Sequence, residues 1–270
     1  MKVKRRSRMI YIRKRRTPDE VKKKVEEIKR TPDNGYDELE LPENTKQLRN
    51  LFEQMPKDQI RSALFEEQHG LCAYCMKRIT SSSQKMKIEH YEALSENKEL
   101  ALDYQNYLGV CYGGEKDGDN KSHVLCCDAE RKDRKLTINP WNKRQMEAIG
   151  YYRSGEIFVR QDEGLDPELV EKMQKDIDNV LHLNGEKDSD GRIIRDTATQ
   201  LIAGRRSICD SVHSQFERWD KKHQLTPEFL QDKILKLEKQ LEENNIADEY
   251  RGVRLYLYKR KQKKLRKHFS

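Results

Sequence analysis

The chain has no apolar run approaching the roughly 18 residues of a helical membrane span, so no membrane partner is expected. Its basic N-terminus is followed by neither an apolar segment of signal-peptide length nor a small-residue cleavage site. The expected location is therefore the cytoplasm, where thiols are metal ligands more readily than disulfides. No Walker-type glycine-rich loop and no solenoid-spaced repeat occurs, so the chain is not expected to hydrolyse nucleotides itself. Apolar residues are also scarce: 34% against 38% charged over 270 residues. That balance implies a modest core and a long polar surface, as in an elongated helical protein of one large or two smaller units. Positive charge is in surplus, at a formal +8, which favours a polyanion as substrate or partner.

Five of the six cysteines fall between Cys72 and Cys127. Thiolates one turn apart in Cys-x-x-Cys can share one tetrahedral Zn²⁺, and two such halves close a structural site. Cys72 and Cys75 form the first half, after a helical stretch, Ile60 to Gln68, that Gly70 is placed to stop. The second half is split: Cys111 ends an apolar run, and Cys126-Cys127 lies beyond a Gly/Asp-rich insert. The expected ligands are Cys72, Cys75, Cys111 and Cys127, with Cys126 as the substitute for Cys127. A redox Cys-x-x-Cys or scattered buried thiols are the alternatives, but the strand–helix context of a thioredoxin-type site is missing.

Between the zinc halves stands Glu89-His90, at the end of a short candidate strand. An imidazole suits proton abstraction from water at neutral pH. Asp128, directly after Cys127, opens a short helix that also carries Arg131 and Lys132. Hard divalent cations prefer such carboxylate oxygens. Two acids with a base between them make a one-metal site for phosphodiester hydrolysis, with Mg²⁺ or Mn²⁺ as the expected ion.

The order Cys72-x-x-Cys75, Ile88-Glu89-His90, Tyr104-x-Asn106-Tyr107-Leu108-x-x-Cys111, Cys127-Asp128-x-x-Arg131-Lys132 resembles the zinc-supported HNH endonucleases. It is similar in particular to the PtuB branch, the nuclease subunit of Septu-type and retron-linked anti-phage systems. The leader Ala63-Leu-Phe-Glu-Glu-Gln-His-Gly-Leu-Cys-Ala-Tyr-Cys75 is the most telling part. The resemblance is specific from about Ala63 to Pro140. It implies a ββα-metal core, His90 as general base, Glu89 and Asp128 as ligands of the catalytic ion, and Asn106 bracing the loop that holds His90. It also implies a PtuA-like ATPase partner and, in the retron-linked variety, a reverse transcriptase with its RNA-linked DNA. The chain departs from the family at two points. Asp128 stands where histidine or asparagine is usual, and the insert separates Cys111 from its zinc partner. DNA is the favoured substrate, with RNA such as tRNA open, because the centre acts on the phosphodiester and not on the 2′-OH. A zinc-bearing nucleic-acid adaptor that does not cut is the alternative.

The fold class expected is α+β, predominantly α-helical: a basic arm with helices over 1–56, the zinc-supported nuclease core over 57–150, and a hairpin with helices over 151–270. Nine basic residues crowd Lys2 to Arg16 around an apolar quartet, Met9 to Ile12, able to add a strand to a sheet edge. Thr17-Pro18 reads as a helix start with Thr17 as cap. Leu48, Leu51, Phe52 and Met55 share a helical face suited to packing. Arg131, Lys132, Arg134 and Lys135 are placed to grip phosphates beside the metal, a solvated helix face being the plain alternative. Tyr104, Tyr107 and Leu108 read as core, and His123 as an exposed loop residue. Tyr151 to Val159 alternates around Ser-Gly as a hairpin. Asp166-Pro167 and Thr226-Pro227 open helices, a loop spans Gly185 to Arg192, and a long helix runs from about Ile194 to Lys221. Cys209 reads as core, and the basic, tyrosine-bearing tail from Arg254 as either a nucleic-acid surface or a solvated helix end.

Overall fold

The computed structural model describes residues 11–31, 35–115, 124–161, 164–242 and 246–268. Met9, Ile10 and His123 lie outside them, with most of the insert. The fold is α+β, about 48% helical with small antiparallel sheets. Helices α1 (Asp19–Arg30), α2 (Thr45–Glu53) and α3 (Lys57–Glu67) precede strand β1 (Lys87–His90), the single-turn α4 (Lys98–Ala101) and β2 (Tyr107–Val110). Next come α5 (Asp128–Arg131), α6 (Lys143–Ala148), the hairpin β3 (Ile149–Tyr151) with β4 (Ile157–Val159), and α7 (Pro167–Lys175). A second hairpin, β5 (Glu186–Lys187) with β6 (Ile193–Arg195), leads into α8 (Leu201–Lys221), α9 (Pro227–Glu242) and α10 (Arg251–His268). Among the described residues, no helix is long and apolar enough to cross a membrane.

Strand alternation explains how β1 and β2 serve two cores. The pair is antiparallel, with Glu89 opposite Leu108 and His90 opposite Tyr107. Leu108 and Val110 join the apolar cluster that runs from the cysteines into α8, α9 and α10. Tyr107 and Ile88 instead join a second cluster built by α1, α2, α3 and Tyr104. Tyr104, Tyr107 and Leu108 are core, as the sequence suggests, and so is Cys209. The first cluster is continuous across the expected boundary at residue 150, and that boundary would cut β3.

Helix starts follow local chemistry. Asp166 accepts from the amides of Glu168 and Leu169 ahead of α7, and Thr226 Oγ1 accepts from Phe229 at the head of α9. Helix α1 departs from expectation by one position: Pro18 occupies the cap and its carbonyl takes the Lys22 amide at 3.0 Å, so Thr17 caps nothing. The stretch read as loop and helix start at 185–200 forms β5 and β6 instead. Asp196 accepts from the Ile202 and Ala203 amides and Thr197 Oγ1 from Leu201. These bonds satisfy the first-turn donors there, which delays α8 to Leu201. The tyrosines of the tail are not a base-stacking surface: Tyr256 and Tyr258 are buried against the bundle, and the Tyr258 hydroxyl donates to Gln215. The described part of the basic arm is docked, with the Ile12 amide on Pro140 and Lys14 on the buried Glu67.

Candidate functional site

The thiol cluster is assembled from two tight turns. After Leu71 pairs with Arg78, the Cys72 amide donates to the Lys77 carbonyl at 2.8 Å and Met76 donates back to Cys72 at 3.1 Å. This knuckle aims Cys72 and Cys75 at the end of β2, where Cys111 follows. The fourth thiol arrives through a left-handed Cys127, φ 58°. Its approach depends on Gly113, φ +60°, where a Cβ would sit 1.9 Å from the Cys126 carbonyl oxygen. No side chain fits there.

The sulfurs of Cys72, Cys75, Cys111 and Cys127 all lie within 4.8 Å of one another. Bonds of about 2.3 Å to a tetrahedral ion put sulfurs about 3.8 Å apart. The three contacts Cys75–Cys111, Cys111–Cys127 and Cys72–Cys127 measure 3.7, 3.7 and 4.0 Å. The set fits a metal ion and is consistent with structural zinc. Cys126 is not one of the four; its sulfur lies 3.5 Å from Thr199 Oγ1.

A cleft of about 470 Å³ opens beside this cluster, and Glu89, His90 and Asp128 all line it. Helix α2 covers the imidazole, with Phe52 4.5 Å and Tyr107 5.0 Å away, centroid to centroid, both edge-on. His90 Nε2 lies 2.9 Å from the Ala101 carbonyl. A carbonyl can only accept, so Nε2 carries the proton and Nδ1 is the ring's acceptor. Burial lowers the imidazole to about 4, with the Lys57, Arg49 and Arg131 charges adding to the effect against the Ala101 bond. His90 is thus neutral at physiological pH. Asn106 ties both ends of the intervening loop: its Oδ1 accepts from the Glu92 amide, and Nδ2 donates to the Glu92 and Leu100 carbonyls.

Glu89 turns the other way from β1, towards Asp128 and the interior. Burial, then the neighbouring Asp128 carboxyl, hold it well above the ordinary carboxylate range, against the pull of Arg131. Asp128 pairs with Lys87, which also reaches Glu115 at 3.1 Å. Adjacent carboxyls of this kind can share a hard cation.

The four basic residues expected to hold phosphates separate here. Arg131 is 1% exposed and is not a phosphate contact. Its guanidinium spans Glu89 Oε1 at 2.5 Å, the Tyr74 hydroxyl at 3.0 Å and the carbonyls of His90, Tyr91 and Arg134. A buried carboxylate draws in a cation whose remaining donors find acceptors nearby, and that cation is Arg131, with one bond to Glu89 and the rest to Tyr74 and backbone carbonyls. Arg134 is likewise tied down, to the carbonyls of Glu130, Arg131, Asn179 and Val180. Lys132 lines the cleft, whereas Lys135 pairs with Glu96 outside it.

No family model and no curated protein matches the chain. What the site can do follows from its own atoms. Sequence reasoning did not single out Tyr74, Lys87 or Glu115, nor Arg49, Lys57 and Arg61 on the facing wall. Only the alternation of Lys87 with Glu89 on one strand face offered a signal, and it was weak.

Proposed function

We propose that the protein is a metal-dependent HNH endonuclease of the PtuB type that cleaves phosphodiester bonds of nucleic acid, DNA in the first place. The observation that carries this reading is that Glu89, His90 and Asp128 all line one cleft, with His90 Nε2 on the Ala101 carbonyl and Nδ1 left as the ring's acceptor. In this reading the four thiols hold a structural Zn²⁺, and Glu89 and Asp128 hold Mg²⁺ or Mn²⁺. The divalent ion would supply Lewis-acid stabilisation of the leaving oxygen. His90 takes the proton of the attacking water at Nδ1. Its ring is held for that task by the Ala101 carbonyl behind and by the edges of Phe52 and Tyr107 at its flanks. Asn106 braces the loop that carries Ala101, so it acts by positioning. Arg131 keeps Glu89 in the cleft from below. β1, β2 and α5 would then be the two strands and the helix of a ββα-metal centre. On the sequence resemblance, the enzyme serves as effector of an anti-phage complex beside a PtuA-like ATPase.

Nicking of supercoiled DNA and cleavage of RNA are measured with Mg²⁺ or Mn²⁺, with the partner ATPase present, for wild type and His90→Ala. Cleavage by wild type and its loss in the variant are expected. Two equally inert proteins would leave a zinc-bearing adaptor in place of the enzyme.

A further inference from the structure

The two walls of the cleft differ in the balance of their charge. Glu89, Glu115, Asp128 and Asp133, with Lys87 and Lys132 among them, belong to the strand and α5 side; Arg49, Lys57 and Arg61, with Glu53, come from α2 and α3. The helix wall is locked in place over the imidazole by Phe52, whose ring also lies under the Lys57 ammonium at 3.7 Å. Lys57 and Arg61 are half-buried, and each has a carboxylate of its own helix region, Glu53 at 3.1 Å and Asp58 at 3.0 Å. Those two carboxylates are exposed, so the pairs are screened and exchangeable. Arg61 Nε is buried with no hydrogen-bond partner, and burial lowers the Lys57 ammonium despite Glu53. Arg49 is exposed on the same wall. Cations partly stripped of water and facing a cleft gain from an anion brought into it. A carboxylate wall suits a cation, and a cationic wall across from it suits phosphates next in line.

We propose that Arg49, Lys57 and Arg61 are substrate-positioning residues that hold the backbone phosphates flanking the scissile one, so that helices α2 and α3 form half of the substrate channel. The inference rests on the nuclease reading and adds to it where the strand lies and what grips it. It also adds the N-terminal helices to the phosphate contacts that sequence places on the α5 run, of which Lys132 alone lines the cleft. The contacts are sequence-independent and position the substrate without reading bases.

The test uses full-length protein carrying His90→Ala, to prevent cutting, and a short fluorescent DNA duplex titrated over a range of salt. Each phosphate that goes unneutralised flattens the log–log salt dependence by about 0.7–0.9. Arg49→Ala and Arg61→Gln should each do so and weaken binding several-fold, while Lys172→Ala on α7 changes neither. Arg49 is exposed, so its variant separates the missing phosphate grip from misfolding, and Arg49→Glu should weaken binding further. If wild type cuts and the parent binds, but both variants keep its affinity and slope, the channel assignment is overturned and the nuclease reading stands. If wild type neither binds nor cuts nucleic acid, the nuclease reading falls and takes the channel with it.

Discussion

Replacing Arg131 with methionine tests the interior of the cleft most directly. The substitution keeps an apolar stem of similar length and removes the guanidinium. Glu89, 8% exposed, then loses its counter-charge, and three backbone carbonyls together with the Tyr74 hydroxyl lose a donor. Removing one partner of a buried pair costs about 3–5 kcal/mol, because the remaining carboxyl must either stay charged without a partner or take up a proton, the direction in which burial and Asp128 already push it. The carbonyls alone, at about 1 kcal/mol each, reach the lower end of that range. Arg131→Met should therefore destabilise the fold by about 3–5 kcal/mol, between two and four orders of magnitude in the folding constant. Urea denaturation with matched metal content measures it, since metal loss during unfolding would break two-state behaviour. The double variant Arg131→Met/Glu89→Gln removes both charges and should be less destabilised than the sum of the singles, by up to about 3 kcal/mol. A loss under about 1 kcal/mol, the range of exposed ion pairs, with no coupling to Glu89, would refute the reasoning. Arg131 would then be the surface cation that its place in a basic run suggests.

Three further outcomes are expected. Metal analysis should find the tightly held ion lost in Cys72→Ser and retained in Cys126→Ser, because only the first removes a member of the four-sulfur set; retention in both would mean that a different set binds. Gly113→Ala should lower thermal stability sharply and the metal content with it, since its Cβ collides with the Cys126 carbonyl at a left-handed backbone position; wild-type stability would disprove the packing. His90, held at about 4 when folded and near 6.5 when unfolded, adds stability that is complete above the unfolded value and lost as pH falls towards 4. Denaturation at pH 7.5 and pH 5 should show a larger acid loss for wild type than for His90→Gln, and equal losses would show that the imidazole is not desolvated.

Local chemistry was the legible part. Metal-ligand spacing, helix caps such as Asp166-Pro167 and the alternating run 151–159 act over a few residues, and the folded chain uses them as read. Partners distant in sequence were not legible. Which cation of the run Arg131 to Lys135 turns inward depends on Glu89, 42 positions away, and no periodicity in a one-turn helix reports it. The apolar face of α2 was visible, but not that Phe52 covers His90. The β5–β6 hairpin gives no alternating signal because its strands are only two and three residues long, and the delay of α8 depends on side-chain bonds to Asp196 and Thr197 ahead of a left-handed Gln200.

The cysteine knuckle bears on how the chain is made. The His69 and Met76 carbonyls accept the amides of Ala247 and Tyr250, and Glu249 takes the Arg78 amide. All four thiols of the cluster have therefore left the ribosome long before the segment that braces the knuckle exists. The nascent chain carries its knuckle unbraced over that interval, when an early-loaded ion would keep the sulfurs from oxidation. Thiol labelling of chains truncated before residue 246, with and without zinc, reads that window.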